Sequence, residues 1–256
     1  MKDKRPMEIT SSANKRYREL LSLHGSRGIR RLERAIVPGK RFVDSYVENA
    51  PQQCRAFVCR SGEKNPYHVP GVEQIVLSSS LFRTLDKWGC GSPLLEIGVP
   101  LFQEWRRDTW PAGCTLVLPL QDPKNMGAAL RCAAAFGIRS IIVTRESVHP
   151  YHPDAIRASA AVLPLLTVYT ISESFLSYSW PEPFIALHTR GTPINAFHWP
   201  EAFGLVVGTE GPGIPKDTIT PERISIPMEQ GVESLNATSA VSIALFQWRV
   251  HNPDVR

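Results

Sequence analysis

Leu205–Pro215 reads LVVGTEGPGIP. Three branched apolar residues stop at Gly208; a threonine, a glutamate, two more glycines and two prolines follow. An apolar run without alternation is the pattern of a parallel strand buried on both faces. Ligands of open parallel sheets collect at the carboxyl ends of the strands, and this stretch is such an end. Glycine lets the main chain approach a ligand closely, and proline fixes the rest of the loop at low entropic cost. The loop lacks both the Gly-Lys-Ser/Thr of a phosphate cradle and the G-x-G-x-x-G spacing of a dinucleotide fold. A nucleoside without phosphates fits it better. Glu210, a carboxylate among glycines at a strand end, has little purpose in packing and marks the loop as a site.

Working outward, CTLVLPL, SIIVTR, LPLLTVY, PFIALHT and RISIPM repeat the apolar pattern between Cys114 and Met228. Helical patterns separate several of them: NMGAALRCAAAFG, PDAIRASAA and SESFLSYSW. The fold class is therefore α/β, a mostly parallel sheet with helices on both faces. The final LNATSAVSIALFQWRV reads as a long helix that packs through Ile243, Leu245 and Trp248. Upstream, shorter strands (RAFVCR, VEQIVLS) alternate with helices (SSANKRYRELLSLHG, KRFVDSYVENA, SSLFRTLDKWG) in a smaller α/β module. A Gly, Pro and charge-rich stretch from Gly89 to Asp108 places a boundary between them. The expected domains are 1–100 and 112–256, with 101–111 as a linker.

The 256 residues are 43% hydrophobic and 21% charged, which excludes a disordered chain and gives ample material for a core. No apolar run approaches the roughly 18 residues that span a bilayer. The first residues, MKDKRPMEITSS, lack the apolar region of a signal peptide, so the expected location is cytoplasmic. Cys54, Cys59, Cys90, Cys114 and Cys132 form no CxxC pair, which argues against a disulfide framework or a zinc ribbon. His149 and His152 have loose HxxH spacing without acidic or thiol ligands beside them, so no metal is expected. The net charge of +5 is unevenly spread: residues 1–105 hold 17 Lys/Arg against 11 Asp/Glu, and the rest 12 against 13. A basic first part points to a polyanion such as nucleic acid. Ser12 or Asn14 can cap the first helix, yet Lys15, Arg16 and Arg18 crowd its first turn, where the helix dipole favours anions. A phosphate partner would explain them, and Arg30 and Arg31 in the following GSRGIRRLER extend the set.

Two further segments resemble the opening loop. QDPKNMGAALRCAAAFG leaves a strand through Asp-Pro and starts a helix near Asn125. Arg131 lies inside that helix among alanines, and a closely packed guanidinium needs a partner. ISIPMEQGVESLNATSA leaves another strand and enters the last helix where Ser234 and Asn236 are placed as N-caps.

Together, DPKNMGAALRCAAAFG, LVVGTEGPGIP and ISIPMEQGVESLNATSAVSIALF resemble, in this order, the signature motifs of the SpoU (TrmH-like) family of RNA ribose methyltransferases within the SPOUT superfamily. IRASAAV (Ile156–Val162) looks like the segment between the first and second motifs, with Ala161 where a glycine is usual. The first part resembles the family's small ribosomal-protein-like substrate-binding domain, with Val37-Pro38-Gly39 in place of the usual Glu-Gly.

The resemblance implies S-adenosylmethionine as methyl donor, an RNA ribose 2′-hydroxyl as acceptor, a homodimer and a C-terminal trefoil knot. Knots are rare enough that pattern alone would predict a plain doubly wound sheet. The implied catalytic set is Asn125, Arg131, Glu210, Ser234 and Asn236. The implied cofactor set is Leu187, His188, Thr189, Gly208, Gly211, Ile226, Met228 and Leu235. Lys15, Arg16, Arg18, Arg30 and Arg31 are the expected RNA contacts. The separate basic domain favours ribosomal over transfer RNA. Methylation of a base nitrogen, or an RNA-binding protein of this fold without turnover, are the alternatives.

Overall fold

The computed structural model describes residues 6–91, 93–106, 108–208 and 222–253. The chain divides into two compact units, Met1–Leu101 with His149–Pro164, and Phe102–Val148 with Leu165–Arg256.

The first unit runs β1 (Met7–Ile9), α1 (Lys15–Ser22), α2 (Ser26–Leu32), β2 (Arg34–Val37), α3 (Lys40–Asn49), β3 (Cys54–Arg60), β4 (Glu73–Leu77), α4 (Ser79–Leu85) and β5 (Leu94–Gly98). Asn14 caps α1, its side chain accepting from the N–H groups of Arg16 and Tyr17. The sheet order is β1-β4-β3-β5-β2, parallel for β1-β4 and β4-β3 and antiparallel for β3-β5 and β5-β2. Tyr17 and Leu20 from the first helix, Leu23 at its C-cap, Ile29 from the second and Tyr46 from the third are buried in its core.

The second unit opens with β6 (Gln103–Glu104), β7 (Gly113–Leu118), α5 (Pro123–Ala135) and β8 (Ser140–Val143). Next comes α6 (Pro153–Ala158), which belongs to the first unit. The second unit then continues with β9 (Thr167–Thr170), β10 (Phe184–Pro193), β11 (Ala202–Val206), β12 (Glu222–Ser225) and α7 (Ala237–His251). Its seven described strands lie in the order β12-β10-β11-β7-β8-β9-β6, every pair parallel. All six residues of β7 are buried, as the unbroken apolar run predicts.

Three expectations are corrected. First, Phe102–Pro111 is no linker. Trp105 and Trp110 are buried in the core of the second unit with Val117, Ile142, Phe184 and Val206, because two indoles bury too much apolar surface to be left on a tether. Second, helices do not cover both faces of this sheet among the described residues. Residues i and i+3 of a strand face opposite ways. Val206 meets the tryptophan cluster, while Phe203 packs edge-on against Trp248 of α7. The helices α5 and α7 pack together on that second face. Third, SESFLSYSW is not helical but a series of bends and turns. Its aromatic residues serve as the cover on the first face: Trp180 stacks on Phe184 at 4.8 Å and donates to the carbonyl of Phe175 at 3.0 Å. Trp110 donates to the carbonyl of Pro181 at 2.9 Å. A Cβ at Gly204 would lie 2.3 Å from that indole, so the strand beneath it must carry glycine.

The segment His149–Pro164 interrupts the span expected as one methyltransferase domain. It is fixed within the first unit: the His149 N–H donates to Ser26 Oγ at 3.1 Å, and the Trp88 indole N–H to Asp154 Oδ1 at 2.6 Å. The His149 Nδ1 accepts the N–H of Tyr151 at 3.1 Å. Among the described residues no cluster of His, Cys, Asp or Glu is arranged to hold a metal, and no helix is long and apolar enough to cross a membrane. All five cysteines are free. Burial raises the thiols of Cys54, Cys59 and Cys114 above their ordinary range, which makes them unreactive.

Candidate active site

The strand order reverses at β7, which lies between β8 on one side and β11 on the other. Such a switch point opens a crevice at the carboxyl ends of the strands. The chain leaving β7 enters α5, and the chain leaving β11 reaches Gly208.

Asp122 caps α5, accepting the N–H of Asn125 at 2.8 Å, and Pro123 occupies the first turn, where its missing N–H costs nothing. Asn236 caps α7 by accepting the N–H groups of Thr238 and Ser239. The same Asn236 side chain donates through Nδ2 to Asn125 Oδ1 at 3.2 Å. Thr238 Oγ1 donates to the carbonyl of Asn125 at 3.3 Å. Further along, Cys132 lies 3.0 Å from Ser242 Oγ, and the rings of Phe136 and Phe246 meet edge-on. The two helices therefore run parallel, with both amino ends together. Two sequence-predicted residues, Asn125 and Asn236, are thus joined, and Thr238, which the sequence reading missed, completes the junction. Its signal was available, since a threonine two residues beyond a cap lies in the first turn.

The other expected residues fall as follows. Arg131 is exposed, and among the described residues it makes no ion pair or hydrogen bond. The expectation that Arg131 is closely packed is corrected, since α5 buries Met126, Ala129, Leu130 and Ala133 and turns Arg131 outward, while its expected partner Glu210 lies outside the described residues. Ser234 is exposed and does not cap α7; Asn236 alone does. Glu210 and Gly211 lie outside the described residues. Leu187 is buried at the last regular position of β10, opposite Ile224 of β12. Gly208 follows the last ladder pair of β11, Val206 with Val117, by two residues. Ile226 follows the last residue of β12. Leu187 thus closes the regular pairing of β10 before its register shift, and Gly208 and Ile226 lie just past the ends of the neighbouring strands β11 and β12. Ile226 and Met228 are half-buried and Leu235 is exposed. His188 and Thr189 leave the strand line; the Arg190 N–H donates to His188 Nδ1 at 3.0 Å.

In the first unit Lys15, Arg18, Arg30 and Arg31 are exposed. Arg16 is not available to RNA, which corrects that assignment. Its guanidinium grips the fully buried carboxylate of Glu96 with both arms, Nη1 at 2.8 Å from Oε1 and Nη2 on Oε2. That hydrogen bonding, followed by the charges of Glu96, Glu73 and Glu19, outweighs burial and raises the pKa of Arg16. One of the cations crowding the first turn of α1 therefore has an internal anionic partner, on β5.

The family model of the SpoU rRNA Methylase family matches residues 115–246, which take in the whole of this strand-end site. The chain belongs to the SpoU rRNA methylase family. It is 40% identical, over 94% of its length, to a protein of Syntrophobacter fumaroxidans named ribosomal RNA small subunit methyltransferase G 2, of which it covers 49%. It is 31% identical, over 49% of its length, to the 23S rRNA (guanosine-2′-O-)-methyltransferase RlmB of Pasteurella multocida, covering 55% of that protein. The chain thus spans about half the length of these curated relatives. The SpoU methyltransferase AviRb from Streptomyces viridochromogenes, solved in complex with AdoMet, shares the fold with a TM-score of 0.75 at 20% identity, over 95% of this chain and 100% of that one.

Proposed function

We propose that the protein transfers a methyl group from S-adenosylmethionine to a ribose 2′-hydroxyl of RNA. The observation that carries this reading is the junction of Asn125 with Asn236 and Thr238 at the switch point, inside the region that matches the SpoU family. The residues present fit the cofactor. Leu187, Ile226, Met228 and Leu235 offer apolar surface for flat and thioether parts, and the strand ends at Gly208 and Ile226 offer main-chain groups for a purine edge. When bound, that cofactor supplies an electrophilic methyl group on a sulfonium with a neutral leaving group.

The chain's own task is alignment, which can remove a large share of the barrier when a weak nucleophile meets a good electrophile. Arg131 presents five fixed donors and no acceptor from an exposed helix face. It grips a phosphate and orients the hydroxyl beside it, with Glu210 holding its fork; it is not a proton acceptor. Asn236 spends its carbonyl on capping α7 and its amide on Asn125, so it positions Asn125 against the ribose. Ser234 and Leu235 line the approach. Lys15, Arg18, Arg30 and Arg31 place the first unit on RNA, for which ribosomal RNA is preferred to transfer RNA because a separate basic unit suits a large structured substrate. A cytoplasmic homodimer with a knotted C-terminal region completes the reading.

The test is incubation of the purified protein with methyl-labelled S-adenosylmethionine and total bacterial RNA lacking the modification, followed by digestion to nucleosides. Label is expected in a 2′-O-methylnucleoside of ribosomal RNA. Label in a base would overturn the assignment of the acceptor, and cofactor binding without any label would favour a binding protein of the same fold. Arg131→Lys keeps the charge and loses the fork; near-native turnover in that variant would remove the orienting role.

A further inference from the structure

We propose that Arg190 is a positioning residue that anchors an RNA phosphate beside the transfer site, held there by a built bulge at the end of β10; this rests on the reading of the chain as an RNA methyltransferase. Strand β10 pairs with β12 through Leu187 opposite Ile224, and Thr192 then pairs with the same Ile224. Four residues, His188–Gly191, are extruded between them. A long bulge at a strand end re-aims side chains, and three contacts pin this one. The His188 imidazole accepts the Arg190 N–H at 3.0 Å. Ser225 Oγ donates to the Gly191 carbonyl at 3.0 Å. A Cβ at Gly191 would lie 2.2 Å from the carbonyl oxygen of Arg223, so the main chains meet where only glycine fits.

What this fixed loop carries outward is Thr189 and Arg190, both exposed. Among the described residues the Arg190 guanidinium makes no hydrogen bond or ion pair, while its main chain meets the His188 imidazole. The bulge starts two residues past Ala186, which pairs with Val206 two residues before Gly208. A preorganised fork on a rigid loop matches phosphate in a bidentate manner. Its exposure suits a polymer laid across the strand ends better than a small ligand sunk among Leu187, Ile226 and Met228. Phosphate contacts of this kind set register rather than read sequence. The residues His188-Thr189-Arg190-Gly191 held the signal, a cation before a glycine at a strand end, and the sequence reading passed over it.

The experiment compares wild type, Arg190→Ala and Arg190→Lys in three measurements. These are calorimetry with S-adenosylmethionine, methyl-transfer kinetics on ribosomal RNA transcribed in vitro, and filter binding of that transcript across a salt series. Arg190→Ala should keep cofactor affinity within about twofold and raise KM for the transcript about tenfold with a smaller change in kcat. The slope of log affinity against log salt should become shallower by about 0.7 to 0.9, the loss of one phosphate contact. Arg190→Lys should restore the slope but only part of KM. An unchanged slope in Arg190→Ala, or a collapse of cofactor affinity, overturns the proposal. A wild-type protein that transfers no methyl group refutes the functional reading instead, and the slope then decides the anchor on binding alone.

Discussion

Lys15 and Arg16 are adjacent and have opposite fates. Both stand where a helix dipole disfavours cations, and nothing local distinguishes them. The partner of Arg16 is Glu96, on β5, brought within reach only by the fold. Arg16→Ala would leave the fully buried carboxylate of Glu96 with only Arg34, 3.6 Å away, in place of the two-armed grip, and losing those charge-assisted hydrogen bonds costs about 1.5 to 3 kcal/mol. Urea titrations should show that loss for Arg16→Ala and almost none for Lys15→Ala, whose defect belongs to RNA binding. Equal stability of the two variants would remove the structural role of Arg16. His149 offers a second case. Burial, with the nearby charges of Arg30 and His152 adding to it, lowers its pKa from 6.5 to about 3. The unfolded chain then binds a proton that the native state refuses. The stabilising contribution is complete above pH 6.5 and is lost as pH falls toward 3, at a limiting slope of about 1.4 kcal/mol per pH unit. His149→Gln should be less stable at pH 7 and show a flatter acid limb in urea midpoints taken from pH 7 to 4. An unaltered limb would mean that other groups set the acid sensitivity.

At the scale of elements, periodicity served best where the pattern was long. The runs that became β7, β8, β10 and β11 and the helices α5 and α7 were legible because buried parallel strands and long helices leave strong patterns. Where tertiary contacts decide, the sequence was opaque. Ser172–Trp180 has the apolar content of a helix, yet its rings are claimed by Trp110 and Phe184. The pairing of β1 with β4 depends on a partner some seventy residues away. The helix read through PDAIRASAA ends earlier, at Ala158, and the departure from the family at Ala161 falls in its C-terminal cap. Ala161 N–H donates to the carbonyl of Ile156 and Ala160 N–H to that of Arg157, both at 3.1 Å, the two bonds of a Schellman cap. Ala160 and Ala161 carry φ of 53° and 61°, a region that costs an L residue roughly 1 to 2 kcal/mol. The glycine usual at position 161 relieves this. Ala161→Gly should stabilise the chain by about 1 kcal/mol after the extra entropy of its unfolded state is counted, read as a higher melting temperature. A lower one would show that the Ala161 methyl, nearly buried, contributes more by packing.

At the scale of the whole molecule, the sheet class was legible and the partition of the chain was not, because which unit claims 149–164 depends on contacts such as Trp88 to Asp154 that no local pattern encodes. The proposed dimer belongs to this scale. Ile243, Phe246 and Val250 recur at three- and four-residue spacing on α7 and are 39%, 55% and 57% exposed. Phe136 of α5 meets Phe246 and widens the stripe. An apolar face of this kind on the last helix is costly to leave in water, and a two-fold axis would set it against its own copy, the same patch on both subunits. Because α7 begins at Asn236, the pairing would also brace the Asn125 junction. Phe246→Glu with Val250→Glu places four carboxylates in such an interface. Light scattering should find the wild type at twice 28.5 kDa and the double variant at 28.5 kDa, with methyl transfer reduced at least tenfold and the melting of the first unit unchanged. Wild-type protein that scatters as a monomer would leave the stripe without its partner. A variant that stays dimeric would move the interface elsewhere, and with it the link between assembly and the amino end of α7.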